Sequence, residues 1–254
     1  MSNLITVKAS DVLPDRVADN AYPEARGSRY GELATNPFSL HRSALEGNVF
    51  IARNATQATG IAQTANTTSD TTKPFITLTV GATAVKSVHL IYLILKPTAV
   101  SSGQTTQRID IVTCDGTAWS SAGTNYNQIA SGIATAGYHG VNTGKNESSV
   151  LSNFYVGVPV TVLGTNSRNV VRFVPRQTTI PVIADTYGMR FGAFGGDWAL
   201  PNTGAEPVST TVNQYWRDFL PLIIAPGTSA MVIPWAASIA GAMSWEFELA
   251  WLER

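Results

Sequence analysis

The sequence predicts an all-β fold, a two-sheet antiparallel sandwich that is jelly-roll-like, with an extended N-terminal arm and long polar loops. Several short segments alternate apolar and polar side chains with a period of two residues, which is typical of half-buried strands. Stretches rich in Thr, Ser, Asn and Gly separate these segments. No helical period of convincing length appears, so helices are expected to contribute little.

Charge distinguishes the start of the chain from the rest. Residues 8–46 hold 11 of the 34 charged side chains (17 basic and 17 acidic), and Pro14, Pro23 and Pro37 interrupt regular structure there. A polar segment of mixed charge cannot bury enough apolar surface to fold by itself. We therefore predict an extended arm over residues 1–48, with a short strand at 4–7 and a helical turn near 40–45. The β-sandwich body then covers residues 49–254.

The body strands are predicted from apolar runs and from period-two alternation. In chain order they cover residues 48–53, 75–80, 88–95, 108–113, 155–162, 169–174, 219–224, 230–235 and 243–252, with a weak candidate at 129–134. The segment 88–95 is apolar on both faces, which indicates a central strand covered on two sides. Residues 54–72 contain few large side chains and are predicted to form a long surface loop.

Two hairpins and two buried rows follow from the same patterns. Strands 155–162 and 169–174 are predicted to pair across residues 164–167, and strands 219–224 and 230–235 across the turn at 225–228. Pro159 indicates an edge position for the first of these strands. Each row of alternate large apolar residues should point into a core as a set, because a slip of one residue would expose all of it. The rows are Val156, Val158, Val160 and Val162, and Trp245, Phe247, Leu249 and Trp251.

The length and the long excursions between strands favour a jelly roll over the alternatives. An immunoglobulin-like sandwich is shorter and has a Cys…Trp…Cys pattern, whereas Cys114 is the sole cysteine here. We find no repeat of fixed period, which argues against a propeller or a β-helix.

The candidate catalytic and metal-binding residues all have a simpler structural explanation. His41, His89 and His139 lie too far apart in sequence for the usual zinc spacings. Glu246 and Glu248 share one face of the last strand, but alternate residues of such a strand normally form its solvent face. Asp197 precedes Trp198 in a Gly-rich loop, where the aromatic ring is better explained as an anchor. We predict that the protein is not an enzyme and that it has no cofactor and no metal.

Charge also limits the classes of partner. The formal net charge is zero, so the chain has no overall field that would attract nucleic acid or an anionic membrane. A net charge near zero promotes self-association, and we expect a homo-oligomer. The first residues lack the basic and apolar regions of a signal peptide, and the longest apolar run, 88–95, is too short to span a bilayer.

Three short segments resemble the start of certain tailed-bacteriophage virion proteins. They read Ala-Arg-Gly-Ser-Arg-Tyr-Gly-Glu at residues 25–32, Leu-Glu-Gly at 45–47 and Thr-Gly-Ile-Ala at 59–62, the last being read as a turn. The match covers about forty residues of the chain, and beyond it only the β-rich, charge-poor style is shared. This resemblance implies a structural component of the particle rather than an enzyme, and does not fix its location there.

From these observations we expect a capsid decoration or cement protein that docks through its arm. Its partners would be other virion proteins, first of all the major capsid protein, and it would be located in the virion after synthesis in the host cytoplasm. The side chains expected at the interface are Arg26, Arg29, Tyr30, Glu32 and Arg42. Arginines can bind carboxylates through two hydrogen bonds, and tyrosine is a common interface anchor. The alternatives are a tail, collar or head-fibre component, a lectin-like carbohydrate-binding module, and a glycan hydrolase.

Overall fold

The computed structural model describes most of the body and three short parts of the arm. The described residues are 8–9, 26–27, 39–54, 56, 58–101, 103, 105–116, 123–127, 129, 136–142, 148–157, 165–176, 181–192 and 214–254. They form one helix, α1 (Ser39–Leu45), and sixteen strands. The strands are β1 (Lys8–Ala9), β2 (Arg26–Gly27), β3 (Val49–Arg53), β4 (Ile61–Gln63), β5 (Ile76–Val80), β6 (Val88–Ala99), β7 (Thr105–Asp115), β8 (Thr124–Asn125), β9 (Tyr138–Gly140), β10 (Leu151–Val156), β11 (Thr165–Arg176), β12 (Thr186–Phe191), β13 (Gln214–Phe219), β14 (Ile223–Ile224), β15 (Thr228–Ser238) and β16 (Met243–Glu253).

Two sheets pack face to face, and their strand order is that of a jelly roll. Sheet I has the order β13-β12-β6-β16-β3-β9, and sheet II has the order β11-β7-β15-β5-β10-β8. Eight strands form the roll, as β12-β6-β16-β3 in sheet I and β11-β7-β15-β5 in sheet II. The last strand, β16, pairs with the first, β3, and the next to last, β15, pairs with the second, β5. This inward winding from both ends defines the jelly roll, and the predicted fold class is confirmed.

The last strand supplies the centre of the core, as the sequence predicts. Trp245, Phe247, Leu249 and Trp251 are all buried. The ring of Phe247 lies 5.2–6.3 Å, centroid to centroid, from the rings of Phe75, Tyr126 and Phe154. β16 keeps its alternation because the two register shifts against β6 are accommodated by extra residues in β6.

The second predicted row is only partly within the described residues. Val156 is buried at the end of β10, whereas Val158, Val160 and Val162 lie outside the described residues. The described start of this strand, Tyr155 and Val156, pairs with β5 and β8, and β11 pairs with β7. Residues 158–162, the rest of the predicted hairpin strand, lie outside the described residues. In sheet II, β7, β15 and β5 lie between β10 and β11.

The predicted hairpin between residues 219–224 and 230–235 is wrong, although its turn is present. The amide of Thr228 donates to the carbonyl of Ala225 at 3.1 Å, and Gly227 has a φ of 76°, which favours glycine. However, β14 before the turn pairs with β6 in sheet I, and β15 after it pairs with β5 and β7 in sheet II. The turn therefore carries the chain from one sheet to the other.

Two further predictions about strands need correction. β6 is central in sheet I, but its outward side chains Ile91, Tyr92 and Ile94 are only half-buried, so it is not covered on both sides. The predicted loop 54–72, including the predicted turn at 59–62, contains β4, which pairs with the start of β16. Gly60 permits this pairing, because a Cβ atom there would lie 1.8 Å from the Thr98 hydroxyl.

The chain after β4 crosses the outer face of sheet II. The Gln63 side chain donates to the carbonyl of Pro234, and the amide of Ala236 donates to the carbonyl of Asn66 at 3.1 Å. A second, smaller apolar cluster is buried on this face. Its members are Val112, Cys114, Met231, Ile233 and Trp235. The outer face of sheet II is therefore a packed layer.

A buried ion pair lies beside this cluster. The Asp110 side chain is fully buried and accepts two hydrogen bonds from Arg172, both at 2.9 Å, and one from Asn169 at 2.8 Å. The Arg172 side chain is half exposed, and its guanidinium carbon lies 5.7 Å from the centre of the Trp235 ring. Burial alone would raise the pKa of the Asp110 carboxyl, but hydrogen bonds from Arg172 and Ser69 and the charge of Arg172 hold it below its ordinary value.

We expect Asp110→Asn to lower the free energy of unfolding by about 1.5–3 kcal/mol at neutral pH, the usual contribution of hydrogen bonds to a charged group. Because the folded-state pKa of Asp110 is lowered, its stabilisation is complete above the ordinary carboxyl pKa and is lost as pH falls through the folded-state value. Denaturant unfolding at several pH values should therefore show the two proteins converging in acid. A difference that stays constant down to pH 2 would contradict this account.

The end of the predicted arm lies against the body. Helix α1 lies where the sequence predicts a helical turn, and its residues contact β3 and β16. The amide of Glu253 donates to the carbonyl of Asn48 at 2.9 Å, and the Lys86 ammonium donates to the Asn48 side chain at 2.8 Å. Asn142 donates to the carbonyl of Leu45. A variant that tests the arm should therefore keep residues 39–48.

Candidate protein-docking groove at the edge of the sandwich

A groove of about 630 Å³ opens along one edge of the sandwich, between β11 of sheet II and residues 219–225 next to sheet I. Its apolar lining comes from both sides. The lining residues include Val170, Val171, Phe219, Leu220, Leu222 and Ile223. Val171 and Leu222 are buried members of the main core, so the floor of the groove is continuous with that core.

Apolar side chains are unusually exposed at the rim of this groove. The exposed fractions are 86% for Leu220, 49% for Ile223 and 46% for Val170. Eight large apolar side chains are exposed within the described residues; three of them line the groove, and Val174, a fourth, is on β11. Single exposed apolar residues are normal, but a cluster of them marks an interaction surface.

The strand beside the groove has one edge that no described strand pairs with, called its free edge below. Among the described strands β11 pairs with β7 alone, and residues 165–170 are all exposed. The register against β7 shifts between Asn169 and Val171, so Val170 is an extra residue that bulges from the ladder. A free edge presents a row of backbone donors and acceptors, to which an extended segment of another chain can bind.

Charges on this edge are predominantly positive. Arg168 lines the groove, and its guanidinium forms no ion pair with another described residue. Arg172 reaches the opposite face of the strand, where it binds Asp110. The carboxylate of Asp115, also in the groove lining, accepts a hydrogen bond from Asn166 at 2.8 Å. The groove can therefore bind apolar side chains together with a carboxylate.

The predicted interface residues are not brought together within the described part of the chain. Arg26 lies in β2, which pairs with β1 in parallel, in register with Lys8. Arg42 lies in α1. The side chains of both, and Arg29, Tyr30 and Glu32 as whole residues, fall outside what the structure describes. The interface role of these five residues remains a prediction.

A second surface feature lies on the outer face of sheet I. The ring of Trp216 occupies the position that a side chain at residue 188 would take, because a Cβ atom on Gly188 would come within 2.2 Å of it. The Arg190 guanidinium lies 5.9 Å from the ring centre and forms an ion pair with Asp218 at 2.7 Å. On the next strand, Tyr92 donates a hydrogen bond to Glu248 at 2.7 Å. This feature is an aromatic ring surrounded by polar groups.

The acidic candidates Glu246 and Glu248 both accept hydrogen bonds from other parts of the fold. Glu248 accepts the hydrogen bond from Tyr92, and the hydroxyl pKa of Tyr92 is raised by burial and by this carboxylate. The carboxylate of Glu246 accepts a hydrogen bond from the amide of Ala58. Asp197 and Trp198 lie outside the described residues. His89 is bound to the Ser87 hydroxyl at 2.9 Å, and burial and the nearby Arg254 lower its pKa.

We expect that Glu246→Gln, Glu248→Gln and Asp197→Asn, made singly, leave assembly unchanged. In the fold, Glu246 and Glu248 bind the main chain and a tyrosine rather than each other. The measurement is assembly and glycan cleavage by each purified variant. Cleavage of a glycan by the intact protein that one of these changes abolishes would contradict the assignment.

No group of three or more His, Cys, Asp or Glu side chains that could hold a metal ion occurs within the described residues, and none of their helices is long and apolar enough to cross a membrane. Comparison with protein-family models, with curated protein sequences and with solved structures found no match.

The groove could not be predicted from the sequence, because it is recognised by apolar side chains that are exposed to solvent, and the sequence does not show their exposure. Leu220 and Ile223 appear in the sequence as members of one apolar strand, 219–224, whereas the structure divides this segment between β13 and β14. Pro221, between the two strands, was the available signal, because proline interrupts a β-ladder. Residues on either side of such a break need not face the core.

Proposed function

We propose that the protein is a structural component of a tailed-phage virion, a decoration or cement protein that binds the capsid through its N-terminal arm. It has no catalytic role and forms homo-oligomers. The major capsid protein is the principal partner. The observation that carries this proposal is the resemblance of residues 25–32, 45–47 and 59–62 to tailed-phage virion proteins. The jelly-roll fold of the body is compatible with this structural role.

Two structural features support a role in assembly. A jelly roll with a free strand edge and an exposed apolar groove offers a surface suited to another protein chain. The arm residues 1–38 precede the helix that packs on the body, and in the proposed assembly they extend to another subunit. Extended arms cover much surface per residue, and their ordering cost is met at assembly.

The test is binding of the purified protein to empty capsids, combined with imaging of the particle. We expect stoichiometric co-sedimentation and density for a β-sandwich on the capsid surface. Density on the tail, the collar or a head fibre would favour the alternative virion roles. No binding to any part of the particle would contradict the proposal.

A carbohydrate-binding module is a second candidate, and the surface around Trp216 is the observation that favours it. A ring that lies over Gly188, beside Arg190 and Asp218, combines an apolar face with hydrogen-bonding groups. If this function applies, the intact protein should give a signal on a glycan array that survives deletion of residues 1–38. Trp216→Ala should abolish that signal, whereas Trp235→Ala on the other sheet should not.

A further inference from the structure

We propose that the free edge of β11 and the adjoining groove bind residues 11–19 of a neighbouring copy, which add to sheet II as an extra strand. The choice of a neighbouring copy rests on the proposed function, because a component that covers a shell stands beside other copies of itself. The pairing itself concerns two copies of this chain and does not require the shell. It also assigns separate roles to the arm, with residues 11–19 for self-association and residues 26–32 for the capsid.

The receiving surface has the properties of a site for an added strand. β11 has twelve residues, and its backbone on the side away from β7 makes no hydrogen bond within the described part of the chain. Val170, Leu220 and Ile223 present apolar surface beside that edge. Backbone hydrogen bonds provide affinity in strand addition, and apolar contacts from alternate side chains provide specificity.

The charges of β11 favour an acidic partner over a second β11. The described side chains of the strand include Arg168 and Arg172, so two β11 edges paired with each other would place like charges close together. Arg168 is exposed and forms no ion pair within the described residues, and the Arg172 side chain is 51% exposed. Because Arg172 already binds Asp110 on the opposite face, a carboxylate of an incoming strand on the groove face would pair with Arg168.

Residues 11–19 match these requirements. Asp11, Leu13, Asp15, Val17 and Asp19 recur at strict spacing of two, so an extended conformation places three carboxylates and two apolar side chains on one face. Nine extended residues span about 30 Å, within the roughly 40 Å of β11. Pro14 lies at an even-numbered position, so its backbone nitrogen would point away from β11 when the odd-numbered residues bind that strand. Because this nitrogen has no N–H to donate, Pro14 would limit the sheet to one added strand.

Cysteine pairing between full-length variants tests this inference. Leu13→Cys and Val170→Cys are made in separate chains, mixed and oxidised, and Val85→Cys replaces Val170→Cys in the control because Val85 is 92% exposed. We expect disulfide-linked pairs joining residues 13 and 170, identified by mass spectrometry of the linked peptides, well above the control mixture. Linkage equal to the control would overturn the inference. Linkage within one chain of a dilute Leu13→Cys/Val170→Cys double variant, with none between chains, would overturn the choice of a neighbouring copy.

Charge exchange supplies the second measurement. Arg168→Glu should weaken self-association by ~fivefold in sedimentation experiments, the effect expected of an opposite-charge cross-strand pair. Mixing it with Asp15→Arg chains should restore association. If the mixture does not regain self-association, a direct contact between residues 15 and 168 is contradicted.

The Arg168→Glu variant should still bind particles. The expected pair of results is therefore weakened self-association together with unchanged capsid binding. Failure of the intact protein to bind capsids, with self-association as described, would contradict only the proposed function.

Discussion

Replacing Phe247 with Ala is expected to lower the free energy of unfolding by about 3–5 kcal/mol, the range for removal of a buried aromatic side chain. Phe247 is 3% exposed in the central strand pair of sheet I, and its ring lies against Phe75, Tyr126 and Phe154. Those three residues come from sheet II and from the segment beside it, so the cavity would open between the two layers. Equilibrium unfolding in denaturant measures the effect.

The matched controls distinguish packing from general damage to the chain. Val85→Ala removes an apolar side chain that is 92% exposed and should change stability by less than 0.5 kcal/mol. Phe247→Leu keeps part of the volume and should fall between the two. If Phe247→Ala were no more destabilising than Val85→Ala, the aromatic cluster would not hold the layers together.

The second large effect concerns the arm. Arg26→Ala combined with Arg29→Ala is expected to weaken attachment to the particle by about 2–5 kcal/mol, the loss that follows when buried, paired charges lose one partner. Tyr30, the adjacent anchor, would remain and would retain part of the affinity. Binding isotherms of both proteins on purified particles supply the measurement.

Arg53→Ala is the matched control for the arm variant. Arg53 is an exposed arginine at the end of β3, in the body, and its removal should leave affinity within a factor of about two. Both variants should unfold like the intact protein. Equal losses for the arm and body variants would indicate attraction by charge alone rather than a specific arm contact.

Period-two alternation could be read from the sequence because it is a local property. β16 was predicted with its buried face because the large residues at 245, 247, 249 and 251 leave one register in which all are covered. β5 was located for the same reason, since Ile76, Leu78 and Val80 alternate with Thr77 and Thr79. Thr77 and Thr79 show the limit of the method, since polar alternates indicate a solvent face whereas both side chains are buried in the fold.

Strand partners could not be read in this way. Both predicted hairpins relied on turn sequences, and a turn sequence determines that the chain reverses without determining which sheet it enters. At 225–228 the turn forms, yet it joins sheet I to sheet II. In a jelly roll most strands pair with residues distant in sequence, as β16 pairs with β3. Such pairings depend on how the whole chain winds.

The candidate site, likewise, could be predicted only in part from the sequence. Arg26, Arg29 and Tyr30 were predicted from sequence resemblance. The groove is visible only in the structure, where Val170 and Ile223, 53 positions apart in sequence, lie along one edge. The acidic alternation at residues 11–19 is visible in the sequence, but it suggested a binding partner only once Arg168 was seen to line the groove.

Co-sedimentation of a variant lacking residues 1–38 tests the central claim, that the arm attaches a self-sufficient sandwich to the particle. The deletion stops before Ser39 because α1 and Asn48 contact the body. We expect the variant to fold, with a melting temperature within a few degrees of that of the intact protein, and to remain in the supernatant when particles are pelleted. Undiminished binding, or a body that does not fold without these residues, would contradict the account.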